Sequence, residues 1–177
     1  MMCSSPGQSF SVAMFKPDFE TALGLSTSTI SGAYMVGTFL AALPMTYIGM
    51  CMDKFGARRT LAVIITLMGL ACVVISQAQG LVTLFIGFFM LRLFGQGSLT
   101  LLNSNTMALW FDRRLGLVSG IMAVGMAGAI ALVPKLNVAL IDQLGWRTAF
   151  VALGLGVWAI MFPLLVVVFR NKPEDVG

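Results

Sequence analysis

The sequence predicts an all-α membrane protein with five full spans and a shorter apolar segment ahead of them. Three observations predict it. Hydrophobic residues make up 58% of the 177 positions and charged residues only 10%, against about 45–50% and 25% in a soluble domain. The mean hydropathy is +0.94. The few charges also fall between long apolar runs, and a spanning helix needs about 20 such residues. Disorder is excluded, because its signature is low hydrophobicity with high charge.

The elements follow in order. Residues 1–15 are apolar and small but too short to cross, and read as the remnant of a first helix, with a disordered or interfacial tail as the alternative. Residues 16–26 carry Lys16, Asp18 and Glu20 and read as an external segment. The second helix is expected over 27–49, the third over 61–79, and the fourth over 81–109, interrupted only by Arg92. The fifth is expected over 115–141, with Lys135 near its end, and the sixth over 148–169. A tail, 170–177, follows. Pro134 and Pro163 each lack a backbone donor and can kink their helices. Trp110 and Trp146 fall at predicted membrane edges, where aromatic anchors belong.

Charge sets the expected orientation. One set of alternate loops holds Lys54, Arg58, Arg59, Arg113, Arg114, Arg170 and Lys172; the other holds Lys16 and Arg147 beside Asp18, Glu20 and Asp142. The positive-inside rule puts the first set, and the C-terminus, in the cytoplasm, as for a multi-pass protein of a plasma or inner membrane. The net charge of +4 is thereby a matter of topology, so no nucleic-acid partner is called for.

Two runs of small residues let helices approach closely in lipid. Ala33, Gly37 and Ala41 recur every four residues in the second helix, with Thr29 outward and Gly49 farther along; Gly116, Gly120, Ala123, Ala127, Gly128 and Ala131 mark the fifth. Plain tight packing and surfaces that rock against a partner are both compatible with these ladders.

Catalysis finds little to work with. Histidine is absent, and with it the commonest general base and metal ligand. No H-E-x-x-H, G-x-S-x-G or phosphate-binding G-x-x-x-x-G-K run occurs, and no acidic residue lies within a span. Cys3, Cys51 and Cys72 are too scattered for a disulfide framework. No enzyme, cofactor or metal is called for.

Arg92 stands near the middle of its span, and an ionisable group there costs roughly 2.5–3.5 kcal/mol on insertion scales. It should face protein or a water-filled cavity. Gln96 and Asn103 follow at helical spacing on the same face, with Asn105 off it. A cation with two amides can bind a small anion such as a carboxylate, to which arginine donates bidentately. An arginine bonded to backbone carbonyls or a neighbouring amide, fixing the bundle, is the competing role. Gln8, Ser9, Tyr34 and Asn137 are weaker candidates, for which interhelical hydrogen bonds compete with a ligand role. Lys135 reads as an entrance or interface residue.

The loop after the second helix runs Gly49-Met-Cys-Met-Asp53-Lys54-Phe-Gly56-Ala-Arg58-Arg59. This resembles the loop between helices two and three of the major facilitator superfamily, departing from it at Ala57 and Cys51. In that reading Gly49, Asp53, Lys54, Gly56, Arg58 and Arg59 form a conformational-gate motif. Gly49 would mark a close approach or turn, Gly56 a positive-φ turn, and Asp53 a helix cap or a partner of nearby cations. Leu91-Arg92-Leu-Phe-Gly95-Gln96-Gly97-Ser98, Trp110-Phe111-Asp-Arg113-Arg114-Leu-Gly116, Gly145-Trp146-Arg147-Thr-Ala-Phe150 and Asn171-Lys172-Pro173-Glu174-Asp175-Val-Gly177 are similar to later pieces of the family. Pro6 to Phe10 resembles the outer half of its first helix. These pieces most resemble the branch of oxalate:formate antiporters and monocarboxylate-type transporters. The Gly-Pro junction of the family's antiporter pattern does not follow Gly120, Gly125 and Gly128.

The resemblance implies a six-helix half-bundle, the N-terminal half of a twelve-helix transporter with its first helix truncated and Met1 an internal methionine. It implies alternating-access transport of a small solute, an organic anion such as a monocarboxylate or dicarboxylate. Its partners would be the lipid bilayer, that solute, and a C-terminal half or second copy. The alternative is a membrane-embedded scaffold or a half without activity of its own.

Overall fold

The computed structural model describes residues 6–110 and 115–167, all in helices and short connections. The helices are α1 (Ser9–Leu23), α2 (Thr27–Ala42), α3 (Met45–Phe55), α4 (Ala57–Ser76), α5 (Leu81–Met90), a π-helical segment (Leu91–Ser98), α6 (Leu99–Trp110) and α7 (Leu115–Val167). Residues 1–5, the side chain of Trp110, the loop cations Arg113 and Arg114, and the tail with Arg170 and Lys172 lie outside the described residues.

Besides the third helix, expected over 61–79 and found at Ala57–Ser76 with Arg58 and Arg59 in its first turn, three boundaries differ from the sequence reading. First, α1 runs on through Lys16, Asp18 and Glu20 to Leu23 and closes at Gly24. Phe15 and Phe19 are fully buried one turn apart, so packing of that face carries the helix through the charged stretch.

Second, the expected helix over 27–49 is broken. Ser26 caps α2 by accepting from the Thr29 N–H at 3.3 Å, and the chain then bends by 42° into α3. Pro44 is the cause, since it lacks the N–H that would continue the ladder. The bend is therefore at Pro44 and not at Gly49, which sits inside α3 with open space where a Cβ would stand.

Third, the expected fifth and sixth helices join as α7, whose one residue with non-helical angles is Gly145, at φ 75° and ψ 156°. Gly56, between α3 and α4, has nearly the same shape at φ 85° and ψ 153°. Both lie in a region that side chains rarely enter. Pro134 and Pro163 sit within the helical arms without interrupting them.

The buried helix is α4. Leu61, Ile64, Ile65, Met68, Ala71, Cys72 and Ile75 are buried at three- and four-residue spacing, which covers more than one face. The second arm of α7 runs antiparallel to it. The Trp158 Nε1 donates to the Ile65 carbonyl at 3.1 Å, and a Cβ on Gly154 would lie 3.0 Å from the Cys72 Cβ. Both ends of this pair are pinned. Arg58 donates to the Val166 carbonyl at 3.4 Å, and Arg147 donates to the Ser76 and Ala78 carbonyls, each at 2.8 Å. These cations meet carbonyls at the ends of the facing helices, where the dipole favours positive charge.

Aromatic packing joins α1 to the same arm. Phe15 meets Phe150 at 4.2 Å between centroids, and Phe19 meets Trp146 edge-on at 5.2 Å. Trp146 is thus a core residue, not an anchor at the lipid surface, because the break at Gly145 turns it inward. On the other side, Gly37 of α2 brings its backbone against Phe88 and Phe89, and Tyr34 meets Phe88 edge-on.

Candidate functional site

The site grows from the π-helical segment. Here the backbone bonds i to i+5, and the Ser98 hydroxyl repeats that reach by donating to the Leu93 carbonyl at 2.6 Å. Such wide turns occur mostly as short insertions in α-helices, frequently at functional sites. Close packing surrounds this one. Gly7 meets Leu91 and Gly95, where any Cβ would collide with backbone. Gly95 also underlies Met68 of α4, and Gly97 underlies Met45 of α3.

Arg92 sits near the centre of the 81–105 span, half-buried. It lines a cavity of about 210 Å³ with Gln96, Thr38, Met45 and Gly97. A larger cavity of about 550 Å³ shares Gln96, Met45 and Gly97 and adds Gln8, Thr100 and Ser104. Arg92 and Gln96 thus share the smaller cavity as the sequence spacing predicts, and Gln8 shares the larger one with Gln96. The larger volume is in the range of small-molecule sites.

Asn103 lines neither cavity. The π turn holds more residues than an α turn, so the register slips by about one place beyond it. Thr100 and Ser104 take the face that α-helical counting gives to Asn103. Asn105 donates weakly to the Met52 Sδ at 3.8 Å.

The polar contacts of Arg92 are with α1 and α2. Its Nη1 donates to the Ser9 hydroxyl at 3.3 Å, and its guanidinium lies 5.1 Å from the centre of the Tyr34 ring. The Tyr34 hydroxyl also donates to Ser9, at 3.0 Å. Among the described residues no carboxylate and no backbone carbonyl engages Arg92. The Gln96 Oε1 is buried and accepts no hydrogen bond within the structure. Ser9 and Tyr34 therefore belong to the arginine's surroundings, while Asn137 does not. Asn137 is fully buried and donates to Ser11 at 2.7 Å, an interhelical bond between α7 and α1. Lys135 is exposed and lines a separate cavity with Pro134 and Asp142.

The motif around Gly56 is a turn tied by its own hydroxyl. Thr60 donates to the Gly56 carbonyl at 3.0 Å and to the Cys51 carbonyl at 3.3 Å. Asp53 is exposed, and the N-cap position of α4 is Gly56, so Asp53 does not cap that helix. Lys54 lies 5.5 Å from the centre of the Phe55 ring. Arg59 is exposed, and Arg58 reaches α7 as described. Sequence reasoning missed Arg147 as a tie to α4. Its place as a cation beside a tryptophan after a predicted turn was the available signal; the guanidinium stacks on Trp146 at 4.4 Å.

Comparison with known proteins bears on the family of the chain. A probable sulfoacetate transporter, SauU, of Cupriavidus necator is 24% identical over 167 residues, covering 92% of this chain. The chain spans only 38% of that relative's length. No solved structure matches. The profile of the Major Facilitator Superfamily matches residues 1–177. With a whole-length match and an all-helical, membrane-spanning fold, the chain belongs to the Major Facilitator Superfamily.

Proposed function

We propose that the chain forms one wall of a transporter for small organic anions, with Arg92 as the cation that meets the substrate. The observation that carries this is an arginine at mid-span, beside a cavity, with no carboxylate partner among the described residues. A charge in that place is costly unless something offsets it, and an anionic solute would do so. Gln96 and Gln8 supply amide groups on the cavity surface. The similarity to a probable sulfoacetate transporter supports an anion, since sulfoacetate carries a carboxylate and a sulfonate.

In this reading the solute is exposed to each side in turn as two walls rock about the site. The motif face, with Lys54, Arg58 and Arg59, lies in the cytoplasm by the positive-inside rule. The second wall is a C-terminal half or another copy. Exchange of anions and facilitated diffusion both need only this charge, whereas proton coupling would draw on a carboxylate from elsewhere.

The test is uptake of sulfoacetate and oxalate into proteoliposomes carrying the native polypeptide. Arg92→Ala should lower uptake at least tenfold, and Arg92→Lys, which keeps charge but loses the planar fork, should also fall well below the native rate. Normal uptake by folded Arg92→Ala protein would sink the proposal. Flux through the purified 177-residue chain alone would favour two copies over a separate second half.

A further inference from the structure

Ser9 is the residue that Arg92 and Tyr34 have in common. A serine hydroxyl has one proton to give and two lone pairs to receive with. Arg92 can only donate, and does so at 3.3 Å; the Tyr34 hydroxyl donates at 3.0 Å. Both lone pairs are then in use. The serine's own proton has no acceptor among the described residues, and the side chain is exposed.

We infer that Ser9 is a specificity-determining donor, its hydroxyl held by Tyr34 and Arg92 so that its proton is offered to the anionic head of the solute. This rests on the reading of Arg92 as the substrate's cation and names the second contact to the same head. Two neighbouring donors, one charged and one neutral, suit a group with adjacent oxygens such as a carboxylate or a sulfonate. A hydroxyl that receives a bond from a guanidinium is polarised and donates more strongly. Tyr34 acts through Ser9 and is a positioning residue. Its ring is itself held edge-on against Phe88 at 5.3 Å, so the direction of its hydroxyl is set by packing.

The closing experiment is calorimetric titration of sulfoacetate, oxalate and acetate into the native polypeptide in nanodiscs, paired with transport kinetics. Ser9→Ala should raise the dissociation constant, and with it the half-saturating concentration for transport, about tenfold, the loss of one hydrogen bond to a charged group. Ser9→Thr, which keeps the hydroxyl, should restore most of the affinity. Tyr34→Phe should weaken binding about threefold alone and add nothing in a Ser9→Ala background, because its effect passes through the serine. An unchanged dissociation constant in Ser9→Ala, with Arg92→Ala abolishing binding, overturns the role of Ser9 and leaves Arg92 standing. Full additivity of Ser9→Ala and Tyr34→Phe overturns the positioning role. Binding that survives Arg92→Ala, or no saturable binding of any of the three anions, overturns the anion site itself.

Discussion

The two arms of α7 carry similar glycines and use them differently. In the second arm, Gly154 lies against Cys72 and Gly69 of α4, and Gly69 lies under the Trp158 ring. In the first arm, Gly116, Gly120, Gly125 and Gly128 have nothing within 4 Å of where a Cβ would stand. Ala123, Ala127 and Ala131 are exposed beside them. The first arm is anchored by its other face, through Ala129, Val133 and Asn137. Gly154 is thus consumed within the chain, whereas the ladder of the first arm, like Gly156 of the second, is not. Small residues at four-residue spacing permit close approach in lipid, but they do not say to whom.

The contrast can be broken from the packed side first. Gly69→Ala places a methyl group where the Trp158 indole stands, displacing the ring and its bond to Ile65. It should cost roughly 2 kcal/mol, read as a lower midpoint in thermal unfolding in detergent. Gly145→Ala tests the joint between the arms. Its backbone shape is strained for any side chain, so a loss of about 1–3 kcal/mol is expected in the same assay. Gly120→Leu tests the open side and should stay within about 0.5 kcal/mol of the native chain. A loss comparable to that of Gly69→Ala would mean that the first arm is packed after all.

Much of the fold was legible because apolar runs and sparse charges are direct statements about lipid. The breaks were less so. Pro44 lies in an uncharged run and left no gap in hydropathy, so the bend between α2 and α3 did not register. Lys16, Asp18 and Glu20 read as a loop, yet buried Phe15 and Phe19 hold them on a helix. At the candidate site, Arg92 and Gln96 emerged because a cation at mid-span demands an explanation and four residues make one turn. Asn103 did not follow, because a π turn is a backbone event without a residue signature, and helical counting fails past it. The join of Ser9 to Arg92 crosses 83 residues of sequence, which no local spacing encodes, and that of Tyr34 is likewise distant.

Arg58 and Arg147 reach in opposite directions between the same two helices. Each rises from the beginning of one and grips the end of the other. Sliding α4 past the second arm by one turn, about 5.4 Å, would have to release both grips together and drag Gly154 across Gly69. A pair fastened in this way resists shear along its length and behaves as a strut. A push delivered at the Gly56 turn would therefore arrive, little diminished, at the Gly145 turn on the opposite face.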